Sequence, residues 1–92
     1  MILGTKFKRP IDRLDYDIDC EDWMAAGDSL ADAQSQVTDG DVIVEPPEIL
    51  DFTLKVWVEG GTDGVTSTID VRFTTADGRI KEVTFKIRVK DY

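Results

Sequence analysis

Leu14-Asp15-Tyr16-Asp17-Ile18-Asp19-Cys20-Glu21-Asp22-Trp23-Met24-Ala25-Ala26-Gly27-Asp28-Ser29-Leu30-Ala31-Asp32-Ala33 is the most informative run of this chain. Apolar side chains at Leu14, Tyr16, Ile18 and Cys20 alternate with the acids Asp15, Asp17 and Asp19. Period two is the mark of a half-buried strand with one face in water. Glu21 to Ala26 has room for about one helical turn, and Gly27 suits the left-handed position that ends it. A second strand of small residues is expected over 29–37, with Ala31, Ala33, Ser35 and Val37 on one face.

Further along, the same period returns three times. Phe52, Leu54, Val56 and Val58 form one apolar row, Val65, Ser67, Ile69, Val71 and Phe73 the next, and Val83, Phe85, Ile87 and Val89 the last. Gly60-Gly61-Thr62-Asp63-Gly64 and Ala76-Asp77-Gly78 are good hairpin connections between them. Ile80 is out of phase with Val83, which places a β-bulge at about Lys81–Glu82. Asp39-Gly40 is a turn, and Val42 to Val44 a short strand stopped by Pro46-Pro47. The pattern is that of an all-β, antiparallel two-sheet sandwich with one short helical turn near 21–26. Its core is expected to include Leu14, Tyr16, Ile18, Leu54, Val56, Ile69, Val71, Phe85 and Ile87. Residues 1–13 lack such a period and read as an extended N-terminal arm, ordered by a partner, ahead of one domain over 14–92.

The chain has 92 residues, 41% hydrophobic, with a net charge of −8. A chain this size buries roughly 60–65% of the surface it exposes when unfolded, enough for one thin core. Its acidity argues against nucleic acid and against anionic membranes, both of which need clustered cations. No apolar run is long enough to cross a bilayer, and the first ten residues lack the apolar region of a secretory signal. A soluble protein made in the cytoplasm is the expectation.

Cys20 is the only cysteine, so no internal disulfide can form; its row makes it a buried small hydrophobe rather than a reactive thiol. Histidine is absent, which removes the commonest general base and metal ligand. Ser29, Ser35 and Ser67 therefore have no partner to activate them, and 60–64 lacks the Lys-Ser/Thr ending of a phosphate loop. No catalytic residue, cofactor or metal is expected.

Charge is unevenly spread. Residues 12–32 hold eight acids and one arginine, whereas 79–90 hold five bases and Glu82. The run Asp15, Asp17, Asp19, Glu21 and Asp22 can be a solvated strand face, a docking surface for a basic partner, or the start of a calcium loop, although the sixth position of a loop begun at Asp17 is Asp22 rather than glycine. Lys86, Arg88 and Lys90 either offset the acids within one molecule or face the acidic strand of a neighbouring copy in a ring. Trp57 points away from the Phe52–Val58 apolar face, as a contact anchor or as a side chain packed under the arm or beside a neighbouring strand. Trp23 plugs one end of the core. The arm adds Phe7, Lys8 and Arg9 to the candidate partner-binding residues Asp15, Asp17, Asp19, Trp57, Lys86 and Arg88, with Ile2 and Leu3 as further apolar groups that a partner could bury.

These pieces recur together in one family. The order Leu14-Asp15-Tyr16-Asp17-Ile18-Asp19, Trp23, Gly27-Asp28 and Ala33, then Val56-Trp57-Val58-Glu59-Gly60-Gly61-Thr62-Asp63-Gly64, then Thr74-Thr75-Ala76-Asp77-Gly78-Arg79 resembles the small immunoglobulin-like virion proteins of tailed bacteriophages. Cys20 and Glu21 stand where that pattern has Trp and Ser, a departure that touches the corner and part of the core. The resemblance implies an immunoglobulin-like fold and a non-enzymatic structural role. That role is a multi-copy tail, neck or fibre-adaptor component, docked in the virion to other virion proteins and to copies of itself in a ring or multimer. Alternatives are an immunoglobulin-like module that recognises a host-surface glycan or protein, and a cytoplasmic regulator of one basic host protein.

Overall fold

Alternation of side chains dictates what the computed structural model shows: two sheets, each with one apolar face, closed on each other. It describes residues 2–91, the side chain of Ile2 excepted. The strands are β1 (Ile2–Lys8), β2 (Leu14–Asp19), β3 (Leu30–Asp39), β4 (Val42–Val44), β5 (Glu48–Leu50), β6 (Thr53–Gly60), β7 (Thr66–Thr75) and β8 (Ile80–Val89). One sheet runs β1-β8-β7-β3; the other runs β2-β6-β4, with β5 also on β6. All pairs are antiparallel except β1 with β8. This two-sheet sandwich is compatible with immunoglobulin-type strand order, in which the second strand neighbours the fifth and the third, sixth and seventh form the facing sheet, as β3, β7 and β8 do here.

The inner faces meet as the three apolar rows require. Leu54, Val56 and Val58 of β6 lie against Ile69, Val71 and Phe73 of β7 and Val83, Phe85, Ile87 and Val89 of β8, all buried. Leu14 and Tyr16, expected inside, sit at the sheet edge: Leu14 is 40% exposed and Tyr16 half-buried. Phe52 also leaves its row, because β6 begins at Thr53 and Phe52 occupies the β5–β6 turn, 39% exposed. Beyond Pro46-Pro47 the chain resumes pairing as β5, too short to read in advance.

Two further expectations are corrected. There is no bulge near Lys81–Glu82: the β7–β8 register is unbroken from Thr74↔Ile80 to Thr66↔Arg88. Ile80 instead remains outside, 69% exposed, and Lys81 takes the inward slot at the sheet end, where its ammonium stands 5.1 Å from the Trp23 ring. The expected arm is extended, but over Ile2–Lys8 it is an edge strand ordered by β8 of its own chain.

The corner is shorter than expected: its helical turn ends at the extended Met24, so Gly27, at a φ of +80°, belongs to a separate turn rather than ending the helix. Asp19 Oδ1 accepts the Glu21 amide at 3.0 Å, a single 3-10 turn covers Glu21–Trp23, and Trp23 stacks on Phe73 at 6.0 Å. Asp28 Oδ1 accepts the amides of Ser29 (2.8 Å) and Asp77 (3.1 Å), tying the corner to the β7–β8 turn.

Polar groups close the opposite end. The buried Ser67 Oγ accepts the amides of Asp41 (3.1 Å) and Val42 (3.3 Å). Gly61 lies so close to the core that a Cβ there would come within 2.6 Å of Val89 Cγ2, at a φ of +100°. Asp41 grips the same loop, accepting the Thr62 amide at 3.2 Å and the Thr62 hydroxyl at 2.5 Å. These bonds hold its carboxyl below the ordinary 3.8. A depressed carboxylate pKa stabilises the fold above the unfolded-state value and ceases to do so as pH falls through the folded one. Asp15, lowered by its bond from Lys55, acts in the same direction. Denaturant titrations should therefore show stability falling below about pH 4, and Asp41→Asn should flatten that fall.

Candidate docking faces

With apolar residues turned inward, the charged residues of β2, β6 and β8 are left on two outer faces on opposite sides of the sandwich. On one, Asp15, Asp17 and Asp19 alternate with the inward residues of β2, opposite Trp57, Lys55 and Thr53 of β6. Lys55 reaches between two of these acids, 2.6 Å from Asp15 Oδ2 and 3.3 Å from Asp17 Oδ1. That pairing raises the Lys55 pKa and lowers that of Asp15. Asp19 is occupied at the corner. The row is thus partly neutralised by its own neighbouring strand rather than uniformly repulsive, and it is a strand, not a loop wrapped around a cation.

Trp57 is not bare. The Arg13 guanidinium lies 4.3 Å from its ring centroid and is itself held by Glu45 at 2.9 Å and Glu59 at 3.8 Å. Its bond to Glu45, reinforced by the charges around it, holds the Arg13 pKa above its ordinary value. The aromatic face is covered by the link between β1 and β2, so Trp57 presents a cation-capped edge.

The other outer face carries Lys86 and Arg88 of β8, in register with Thr5 and Phe7 of β1 and with Thr68 and Thr66 of β7. Arg88 Nη1 donates to Thr66 Oγ1 at 3.0 Å, and Thr84 Oγ1 donates to Asp70 at 2.7 Å. Further across, Arg72 and Glu82 pair at 3.0 Å. Phe7 lies beside Arg88 with 57% of its surface exposed. Arg9 is exposed too, its amide donating to Asp12 Oδ2 at 3.0 Å.

Lys8 overturns its expected place. It shares the inner face with Val89, is 2% exposed, and donates from Nζ to the carbonyls of Arg9 (2.6 Å) and Gly60 (2.5 Å). Burial pushes its ammonium below the ordinary pKa, against the pull of Asp12. It is a clip between β1 and the β6–β7 loop, not a group offered to a partner.

Sequence reasoning missed Lys55 and Arg13. The signal for Lys55 was present: it alternates with Trp57 on the outward side of β6, and antiparallel pairing of β2 with β6 sets it opposite Asp17. Arg13 carried none, since its partners Glu45 and Glu59 lie far along the chain.

Cys20 is fully buried, and burial raises its thiol pKa to about 11. A neutral, enclosed thiol is a poor nucleophile. A thiol reagent at pH 8 should leave the native protein unmodified and label it fully in denaturant; rapid labelling of the native form would place Cys20 outside the core.

The class of fold that these elements define is a small β-sandwich with paired charges spread over two open outer faces. The family comparison names the group within that class. Residues 8–88 match the family model described as podophage GP4 fiber-tail adaptor protein gp77, and the chain belongs to that family. It is thus a phage fibre-tail adaptor, a structural component of the virion. No curated protein matches the chain.

Proposed function

We propose that this adaptor acts without catalysis, in several copies, docking to tail and fibre proteins and to neighbouring copies through its oppositely charged outer faces. One observation carries the reading. The Asp15–Asp19 row and the Lys86–Arg88 row belong to different sheets and point away from each other, so they cannot neutralise one another within one molecule. Complementary patches on opposite sides of a protomer suit head-to-tail association, the geometry that generates rings. Rim charges then fix orientation and encounter more than affinity. The net charge of −8 disfavours nucleic acid and anionic membranes as partners. Synthesis in the host cytoplasm followed by incorporation into the particle completes the scheme.

Reversing Lys86 and Arg88 to Glu tests it, because both side chains are on the outer face and the core is untouched. Mass spectrometry of purified particles should show reduced copy number for the double variant, and low salt should sharpen the defect in assembly assays. Normal incorporation at every salt concentration would remove this face from the docking scheme.

A further inference from the structure

Two sheets have four edges, and three of them carry devices against further pairing. β4 and β5 are three residues each and are separated by Pro46-Pro47. β3 shifts register at both ends, between Leu30 and Asp32 and between Val37 and Asp39. β1 shifts register around Gly4 and places Lys8 on its inner side. Short strands, proline, bulges, inward charge and charged side chains along the strand are the means by which proteins blunt sheet edges. β2 has no proline, bulge or inward charge: its register with β6 is unbroken from Leu14 to Asp19, and it is guarded only by its outward acids, which a basic segment would neutralise.

The backbone of β2 can be oriented from its bonds. The Cys20 amide donates to the Phe52 carbonyl at 2.8 Å, so by alternation Ile18, Tyr16 and Leu14 also turn their peptide groups to β6. The Glu45 amide donates to the Trp57 carbonyl, which puts Trp57 on the β4 side of β6 and agrees with that phase. Asp15, Asp17 and Asp19 therefore turn their amides and carbonyls to the free edge. In a four-stranded immunoglobulin-type sheet a first strand flanks this position; here the first strand pairs with β8 instead, and no described strand lies beside β2.

Side chains at this edge are also incomplete. Leu14 is 40% exposed on the inner face, and the buried Tyr16 hydroxyl has no hydrogen-bond partner among the described residues. Outside, the carboxylates of Asp15, Asp17 and Asp19 line the edge, with Lys55 available only from the β6 side.

We propose that the free edge of β2 receives an extended segment of a partner protein as an added strand, with apolar residues alternating with Lys or Arg. The apolar positions cover Leu14 and Tyr16, the cations meet Asp17 and Asp19, and main-chain bonds supply the affinity. This deepens the docking reading above and rests on it.

The test is a titration of the isolated protein with a synthetic peptide of about eight residues alternating Lys and Val, with a Glu/Val peptide as control. Amide NMR should shift Asp15, Asp17 and Asp19, and hydrogen exchange at Asp17 should slow about tenfold or more at saturation, whereas the Glu/Val peptide does neither. Asp17→Pro removes an outward amide and leaves the β6 ladder intact, so it should abolish binding. Asp17→Lys retains the amide and should weaken binding at least about tenfold, which keeps the test open should the proline variant not fold. Shifts mapping elsewhere, equal binding of both peptides, no binding, or a wild-type dimer that Asp17→Pro disrupts would each overturn the proposal. Peptide binding by the free protein is read independently of incorporation into particles, so each idea can fail without the other.

Discussion

Phe85→Ala is expected to remove about 3–5 kcal/mol of folding stability, because the cavity left by a buried ring in a thin sandwich cannot collapse. Phe85 is 4% exposed, pairs with Ile69 across β7–β8, and sets its ring 6.0 Å from Tyr16 of the opposite sheet. It bridges the two layers, so truncation loosens both. A domain of this size has about 5–15 kcal/mol in all, and the variant would lie near the threshold of folding at 25 °C. Ile69→Ala, at the same level of the core, should cost about 2–5 kcal/mol. Urea titrations measure both, and a parental midpoint for either would mean that the inner face is misassigned.

The second large effect concerns Lys8. Its side chain is 2% exposed, and its ammonium has two carbonyl acceptors, those of Arg9 and Gly60, where β1 meets the β6–β7 loop. Lys8→Met retains the stem and removes the donor, leaving two carbonyls unpaired, and should cost about 1–3 kcal/mol. Lys8→Glu puts a carboxylate against those same carbonyls and should cost about 3–5 kcal/mol, the range seen when a buried charge loses its compensation. Thermal melts of the pair decide between burial and exposure, since two exposed substitutions would leave the midpoint unchanged. The same geometry alters what deletion of residues 1–9 would report. Such a truncation strips β8 of its neighbour and opens the loop end, so loss of incorporation would not separate docking from folding.

These two side chains also mark how far the sequence could be read. Phe85 belongs to rows whose apolar members fall at every second position, and those rows place β6, β7 and β8 with the interior correctly phased. β1 inverts that code. Leu3 and Phe7 are exposed, whereas Lys8 is buried on the inner side beside Val89. A strand with a lysine inside and a phenylalanine outside has no signature in hydropathy, and only the carbonyl acceptors of Arg9 and Gly60 make the arrangement tolerable. Ile80 failed for the opposite reason: an apolar residue near a strand end looked as though it had to face the core. For the docking faces, sign and strand were legible, but Lys55 between Asp15 and Asp17, and Arg13 over Trp57, depend on pairings across the chain.

The parallel pairing of β1 with β8 has a mechanical consequence. Ile2 lies beside Thr84 and Lys8 beside Val89, so the chain enters and leaves this strand pair at opposite ends. A pull applied through the segments before β1 and after β8 draws the two strands past each other lengthwise. All the main-chain bonds between them then carry the load together, instead of parting one at a time as in a hairpin peeled from its open end. A domain loaded in this way resists tension in shear.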